Sequence, residues 1–330
     1  MRYGVTLQGV DEPAEFPELA RWIEGLGYDD LWITDSSLHA GEVYVYATLA
    51  LQATTRLRVG TAVTNPVTRH PAITANAAAT LARLAPGRFV CGIGVGDSPV
   101  PEIGMKVAKV DTLVEAVTTM RRLWNGETLT GLHGRHHYIN ARMTKLAPEI
   151  PVHFAASGPR TLEAAGAHAD GAIVLAGLFP AGLEFALEHL QRGRAAGDGR
   201  PFSTTCFLYG SIRDVEAVAV EEARTIAAWF PKVSPPYARL AGMSDELIDS
   251  VRSAYSGGEF QRAGAAASLI DDDMVRKLAF AGSPQTTSAK LEWLRESGVD
   301  AVSIFPLGTD RFATVQAFAD MARTNAGAAT

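Results

Sequence analysis

The sequence predicts a (β/α)8 TIM barrel, a closed ring of parallel strands with insertions after the fourth and seventh, and three observations lead there. Eight short β-rich runs recur along the chain, segments of helical periodicity fall between them, and the residues just past several runs are small, Gly-rich and hydroxyl-bearing. Buried strands alternating with helices point to parallel βαβ units. Eight of them in 330 residues suit a closed barrel better than an open sheet.

Strand one is 3–7, and the segment 15–26 behind it sets Phe16, Leu19, Ala20, Ile23 and Leu26 at helical spacing before Gly27 supplies a stop. Strand two, 30–33, is followed by helix 43–53, and strand three, 57–63, by helix 73–84. Strand four, 89–93, runs into a long loop, 97–106, ahead of helix 109–123. The stretch 126–146, which holds His133, His136, His137 and Tyr138, reads as a hairpin insertion before strand five, 152–155. Helix 160–167 leads to strand six, 171–175, and helix 183–193 to strand seven, 204–209. After helix 214–230, PKVSPP opens an excursion over 231–273 that precedes helix 287–297 and strand eight, 301–305. Such insertions form lids or substrate walls. No linker breaks the rhythm, so 1–330 is expected to be one barrel domain.

A formal charge of -6 argues against a nucleic-acid binder. The start, MRYGVTLQGV, has no basic region followed by an apolar stretch, and no apolar run is long enough to span a membrane. A cytoplasmic protein is expected. Cys91 and Cys206 sit inside apolar strand-like runs and are expected to pack as small hydrophobes.

In a parallel barrel the site forms at the carboxyl ends of the strands, where the variable loops converge. Those ends read ITDSS, GTAVTNPVTRHP, CGIGVGDSP, FAASGP and VLAG for strands two to six. Small residues there let a planar heterocycle approach the backbone and use its N–H and C=O groups. Ser157 and Gly158 precede a helix and either bind an anion through its amides or form a tight turn. Asp35, just past an apolar strand, is either solvated, a helix cap, or paired with a bound ring, and Asp97 offers the same choice. The run Gly92-Ile-Gly94-Val-Gly96 has the wrong spacing and context for a dinucleotide fingerprint. His39, His70 and His153 stand singly in the sequence, which argues against a catalytic metal site.

Together LGYDDLWITDS, LRVGTAVTNPVTRHP, LAPGRFVCGIGVGDS and FAASGPRTLEAAGAHADGAIV resemble the luciferase-like superfamily, and AGSPQTTSAKLEWLRESGVDAVSIFP extends the resemblance to the last strand. GTAVTNPVTRHP and GIGVGD are most similar to its coenzyme F420-dependent branch, which includes methylenetetrahydromethanopterin reductase. The resemblance implies an F420-dependent oxidoreductase that transfers hydride to or from a small organic substrate. It implies a cis peptide between Ala62 and Val63 behind the deazaflavin ring, and contacts to the cofactor from Asp35, Thr64 and Ser98. Ala156, Ser157 and Gly158 would contact it too, the last two at its phosphate, with Gly177 alongside. Asp35, Ser36 and Asp97 are the candidate catalytic residues, and a proton donor is sought among Ser36, His39, Asp97 and Glu102.

Two departures bear on substrate. The sugar-phosphate dehydrogenases of this branch carry His directly after the strand-two Asp, where this chain has Ser36. The pterin reductases carry an acidic residue at the end of strand one, where Thr6 and Gln8 stand here. The same fold also takes FMN, so a two-component monooxygenase fed by a separate reductase, or a flavin-binding protein without turnover, are the competing expectations. A homodimer is expected from the resemblance.

Overall fold

In the computed structural model, which describes residues 1–327 except 98, 148 and 256–262, eight parallel strands close into a barrel. In chain order the strands are β1 (Arg2–Leu7), β2 (Asp30–Ile33), β3 (Arg58–Thr61), β4 (Phe89–Ile93), β5 (Leu129–His133), β6 (His136–Ala141), β7 (Val152–Ala156), β8 (Gly171–Val174), β9 (Ser203–Ile212), β10 (Phe280–Gly282) and β11 (Ala301–Pro306). The barrel runs β1, β2, β3, β4, β7, β8, β9, β11 and closes on itself through the pairing of β11 with β1. Every neighbouring pair is parallel, so all eight carboxyl ends open at one mouth.

Side chains alternate along each strand, and the two faces meet different environments. On β9, Cys206 and Leu208 point to the helical shell and join the main core, while Phe207 points inward. Inside the ring Trp32, Val90 and Ile173 pack with Ala62, Val63 and Phe207, a plug of apolar side chains at the level where the strands end. Cys91 and Cys206 are free and buried, as small hydrophobes.

All eight expected strands are found, and several bounds and connections differ from expectation. Strand three stops at Thr61 rather than 63, just before the cis Ala62–Val63 peptide. The helix Glu216–Val233 continues through Pro231 instead of ending at 230, since Phe230 and Pro231 are both buried. Among its described residues the excursion after strand seven carries the helices Pro235–Leu240, Asp245–Ala254, Gly264–Ala267 and Asp272–Leu278, and the short strand β10 that follows lies alongside Gly210–Ile212 of β9. The hairpin expected in 126–146 is β5 paired antiparallel with β6. A last helix, Arg311–Gly327, was not foreseen; it packs Phe318 against Tyr28, whose hydroxyl donates to the Val315 carbonyl at 2.7 Å.

Gly92 shows why one of the Gly-rich ends must be small. A Cβ there would sit 1.8 Å from the Thr61 carbonyl oxygen, so its hydrogen serves the approach of β4 to β3 rather than a ligand. Thr61 Oγ1 donates to the Gly92 carbonyl at 2.6 Å across the same seam.

Candidate active site

A cavity of about 520 Å3 opens at the carboxyl ends of the strands, a volume suited to a small-molecule ligand. Gln8 follows β1; Thr34, Asp35 and Ser36 follow β2; Ala62, Val63 and Asn65 follow β3; Gly94 to Asp97 follow β4; and Ala155 to Gly158 end β7 and begin its helix. The opposite side is closed by Ile173 and Leu175, by Phe207 and Tyr209 of β9, by Phe305 of β11, and by Trp229, Lys232, Val233 and Ser234 at the end of the helix Glu216–Val233.

The segment TAVTNPVTRHP builds one wall by a chain of local bonds. The Ala62 amide donates to the Ile33 carbonyl at 2.7 Å and the Thr64 amide to the Gly92 carbonyl at 3.0 Å, which pins both sides of the cis Ala62–Val63 bond. Asn65 Oδ1 then accepts the amides of Val67 and Thr68, both at 2.9 Å, a side-chain turn that brings Arg69 back over the end of β2. His70 Nδ1 accepts the Ala72 amide at 3.2 Å and caps the helix Pro71–Leu84, which fixes the other end of the segment.

Arg69 settles the choice left open for Asp35. The Asp35 carboxylate is almost wholly buried and takes both arms of the Arg69 guanidinium, with Nη1 bonded to Oδ2 and Nη2 donating to Oδ1 at 3.2 Å. Nη2 also donates to Glu42 at 2.5 Å, and the Tyr44 ring lies 5.2 Å from the guanidinium carbon. Asp35 is therefore paired rather than solvated. Its neighbours hold the Arg69 guanidinium above its ordinary pKa against the opposing cost of burial.

Ser157 and Gly158 line the cavity at the start of the helix Pro159–His168. Pro159 is its first residue and Gly158 its cap, so the amides of Arg160 and Thr161 have no acceptor within the helix and no capping side chain. A Cβ on Gly158 would meet nothing within 4 Å, and its φ of -82° is open to any residue, so its smallness keeps space free.

Asp35, Ser36, Ala62, Val63, Asp97, Ala156, Ser157 and Gly158 all line the one cavity. Thr64 lies fully buried behind the wall, where it receives Arg69 Nη1 at 3.4 Å. Gly177 is outside the lining, in a left-handed turn with φ of 72° beside Phe179. Ser98 lies outside the described residues. His39 and Glu102 do not line the cavity; they bond each other at 2.6 Å, joining the loops after β2 and β4. His70, single in the sequence, meets His136 of the hairpin with ring centroids 4.2 Å apart.

Residues 2–301 match the sequence profile of the luciferase-like monooxygenase family. The chain belongs to that family. Within it, a 5,10-methylenetetrahydromethanopterin reductase of Methanopyrus kandleri is 30% identical over 94% of each chain. An F420-dependent glucose-6-phosphate dehydrogenase of Intrasporangium calvum is 36% identical over 50% of this chain and 54% of its own. The solved coenzyme F420-dependent tetrahydromethanopterin reductase from Methanopyrus kandleri superposes with a TM-score of 0.82 and 25% identity, covering 97% of both chains. These relatives are F420-dependent oxidoreductases.

For a luciferase-like barrel, sequence reasoning found the wall from β2, β3, β4 and β7 and missed the other one. Phe207, Tyr209, Phe305, Trp229 and Lys232 carry no local motif. The signal available was alternation: Thr205, Phe207 and Tyr209 share one face of β9, and Phe305 stands directly opposite Tyr209 in register. Arg69 lay inside the recognised motif, but nothing in the sequence alone ties it to Asp35.

Proposed function

We propose that this chain is an F420-dependent oxidoreductase that moves hydride between the deazaflavin and a small organic substrate at the barrel mouth. The observation that carries the reading is one cavity that joins the cis Ala62–Val63 wall to the uncapped start of the helix Pro159–His168. A flat ring fits the first feature, because Ala62, Val63, Gly94 and Ala155 present methyls and backbone there. A phosphate fits the second, since amides without acceptors at a helix start favour an anion.

In the bound state F420 supplies a hydride donor or acceptor; the chain's own residues position, exclude water and deliver a proton. Ala62 and Val63 back the ring, with Thr64 supporting them from behind. Ala156, Ser157 and Gly158 hold the phosphate end. Asp35, locked by Arg69, presents a fixed carboxylate edge beside the ring. The proton accompanying the hydride is assigned to Ser36 or Asp97, because both line the cavity and His39 and Glu102 do not.

The test is titration of purified protein with F420 and, separately, FMN, followed by fluorescence. Micromolar F420 binding with FMN at least ~10-fold weaker supports the reading, a difference of about 1.4 kcal/mol. The reverse preference overturns it and points to a monooxygenase supplied with reduced FMN.

A further inference from the structure

We propose that the substrates of this site are planar, largely apolar carbonyl compounds, aryl or conjugated, seated on an aromatic wall opposite the Ala62–Val63 side. This rests on the reading that the deazaflavin occupies that side.

The cavity is chemically two-sided. The half built by β3, β4 and β7 offers methyls, glycines and backbone, while the half built by β9, β11 and the helix Glu216–Val233 offers Phe207, Tyr209, Phe305 and Trp229. These four rings form one connected surface. Tyr209 is central, 5.0 Å from Phe207, 5.1 Å from Phe305 and 5.7 Å from Trp229 between centroids, with edge-on or tilted planes. Phe207 and Phe305 meet at 6.3 Å. Adjacent registered strands hold the first three, so the wall is rigid scaffold and not loop.

Such a surface selects by shape and by ring electrostatics. A sugar or polyol would lose its hydrogen bonds to water against four rings, and the wall would leave those groups unpaired. A flat π-system keeps its apolar area buried and gains edge or offset contacts beyond simple burial. Lys232 and Ser234 line the same side, and Lys232, which is exposed, offers a charged side chain to a polar or anionic substituent of the substrate. In the reduction direction the carbonyl carbon takes the hydride, the oxygen takes a proton to become an alcohol, and the coenzyme is oxidised by two electrons.

The experiment compares acetophenone with cyclohexyl methyl ketone, which share carbon count and carbonyl position but differ in planarity. Affinity for F420-loaded protein is measured by calorimetry, first on wild type and then on Tyr209→Leu, Phe305→Leu and Trp229→Phe. Wild type is expected to bind the aryl ketone about 10-fold more tightly, the scale of two or so aromatic contacts. The Leu variants are expected to lose most of that preference at unchanged F420 affinity, and Trp229→Phe to keep it. Equal affinity for the two ketones, no measurable binding of acetophenone to loaded wild type, or a preference that survives both Leu variants overturns the inference. Failure of wild type to bind F420 at all is a separate result and counts against the proposed function.

Discussion

Asp35 and Arg69 show how much one buried pair decides at this site. A carboxylate that is nearly sealed from water needs its countercharge, and removing the partner of a buried pair costs about 3–5 kcal/mol because the remaining charge stays unpaired. Arg69→Met is therefore expected to lower unfolding free energy by roughly that amount in a urea titration. Arg69→Lys should recover part of the loss, since a lysine keeps the charge but cannot span both carboxylate oxygens as the fork does. Gly92 makes the opposite kind of demand. Gly92→Ala places a methyl against the Thr61 carbonyl, and a loss of about 1–3 kcal/mol or more is expected from forced strand separation. Both residues sit in motifs visible in the sequence, yet one acts through charge and the other through absence of a side chain.

The β7-to-helix turn gives the cleanest separation of fold from binding. Gly158 has backbone angles any residue adopts and open space where its side chain would be. Gly158→Leu is expected to keep the melting temperature within the small change usual for exposed substitutions and to weaken F420 binding at least ~10-fold by filling the phosphate end. Wild-type F420 affinity in that variant would show that the cofactor does not lie there. The turn was legible as an element because Pro159 and the helical spacing behind it mark a helix start. Strand three was read on to residue 63, whereas its ladder ends at Thr61, and the cis Ala62–Val63 bond just beyond came from resemblance rather than from periodicity. The helical character of the excursion after β9 escaped a reading keyed to PKVSPP. Proline marks a helix end in an isolated segment, but here burial of Phe230 and Pro231 carries the helix past it.

Across the whole molecule the main core joins residues from β1 to the last helix, and we propose that the chain unfolds as one domain. A single calorimetric transition with matching van't Hoff enthalpy is the expected result. Stability should depend on pH through histidines held neutral. His153, inside the barrel beside Trp32, is pushed down to about 4, chiefly by burial and then by Arg58 and Arg2. His70 and His136 are lowered as well, mainly by burial. A histidine lowered in the fold takes up its proton first in the unfolded chain, so its contribution is complete above about pH 6.5 and is lost as the pH falls toward 4. For His153 alone the loss across that window is on the order of 3 kcal/mol, read as unfolding free energy at pH 7 and pH 4. His153→Gln should flatten the profile; an unchanged slope would mean that other groups dominate.

By itself the sequence determined the barrel, its order of strands and the small-residue wall of the cavity. Those properties are written in local pattern, namely short apolar β-rich runs, helical spacing, and Gly, Ser and Pro at strand ends. The tertiary structure decided what depends on neighbours distant in the chain. It paired Asp35 with Arg69, set His39 against Glu102 and away from the cavity, and brought Phe207, Tyr209 and Trp229 of one βα unit together with Phe305 from nearly a hundred residues on. Closing a sheet into a ring fixes which side chains share its interior, and that closure is a property of all eight strands at once.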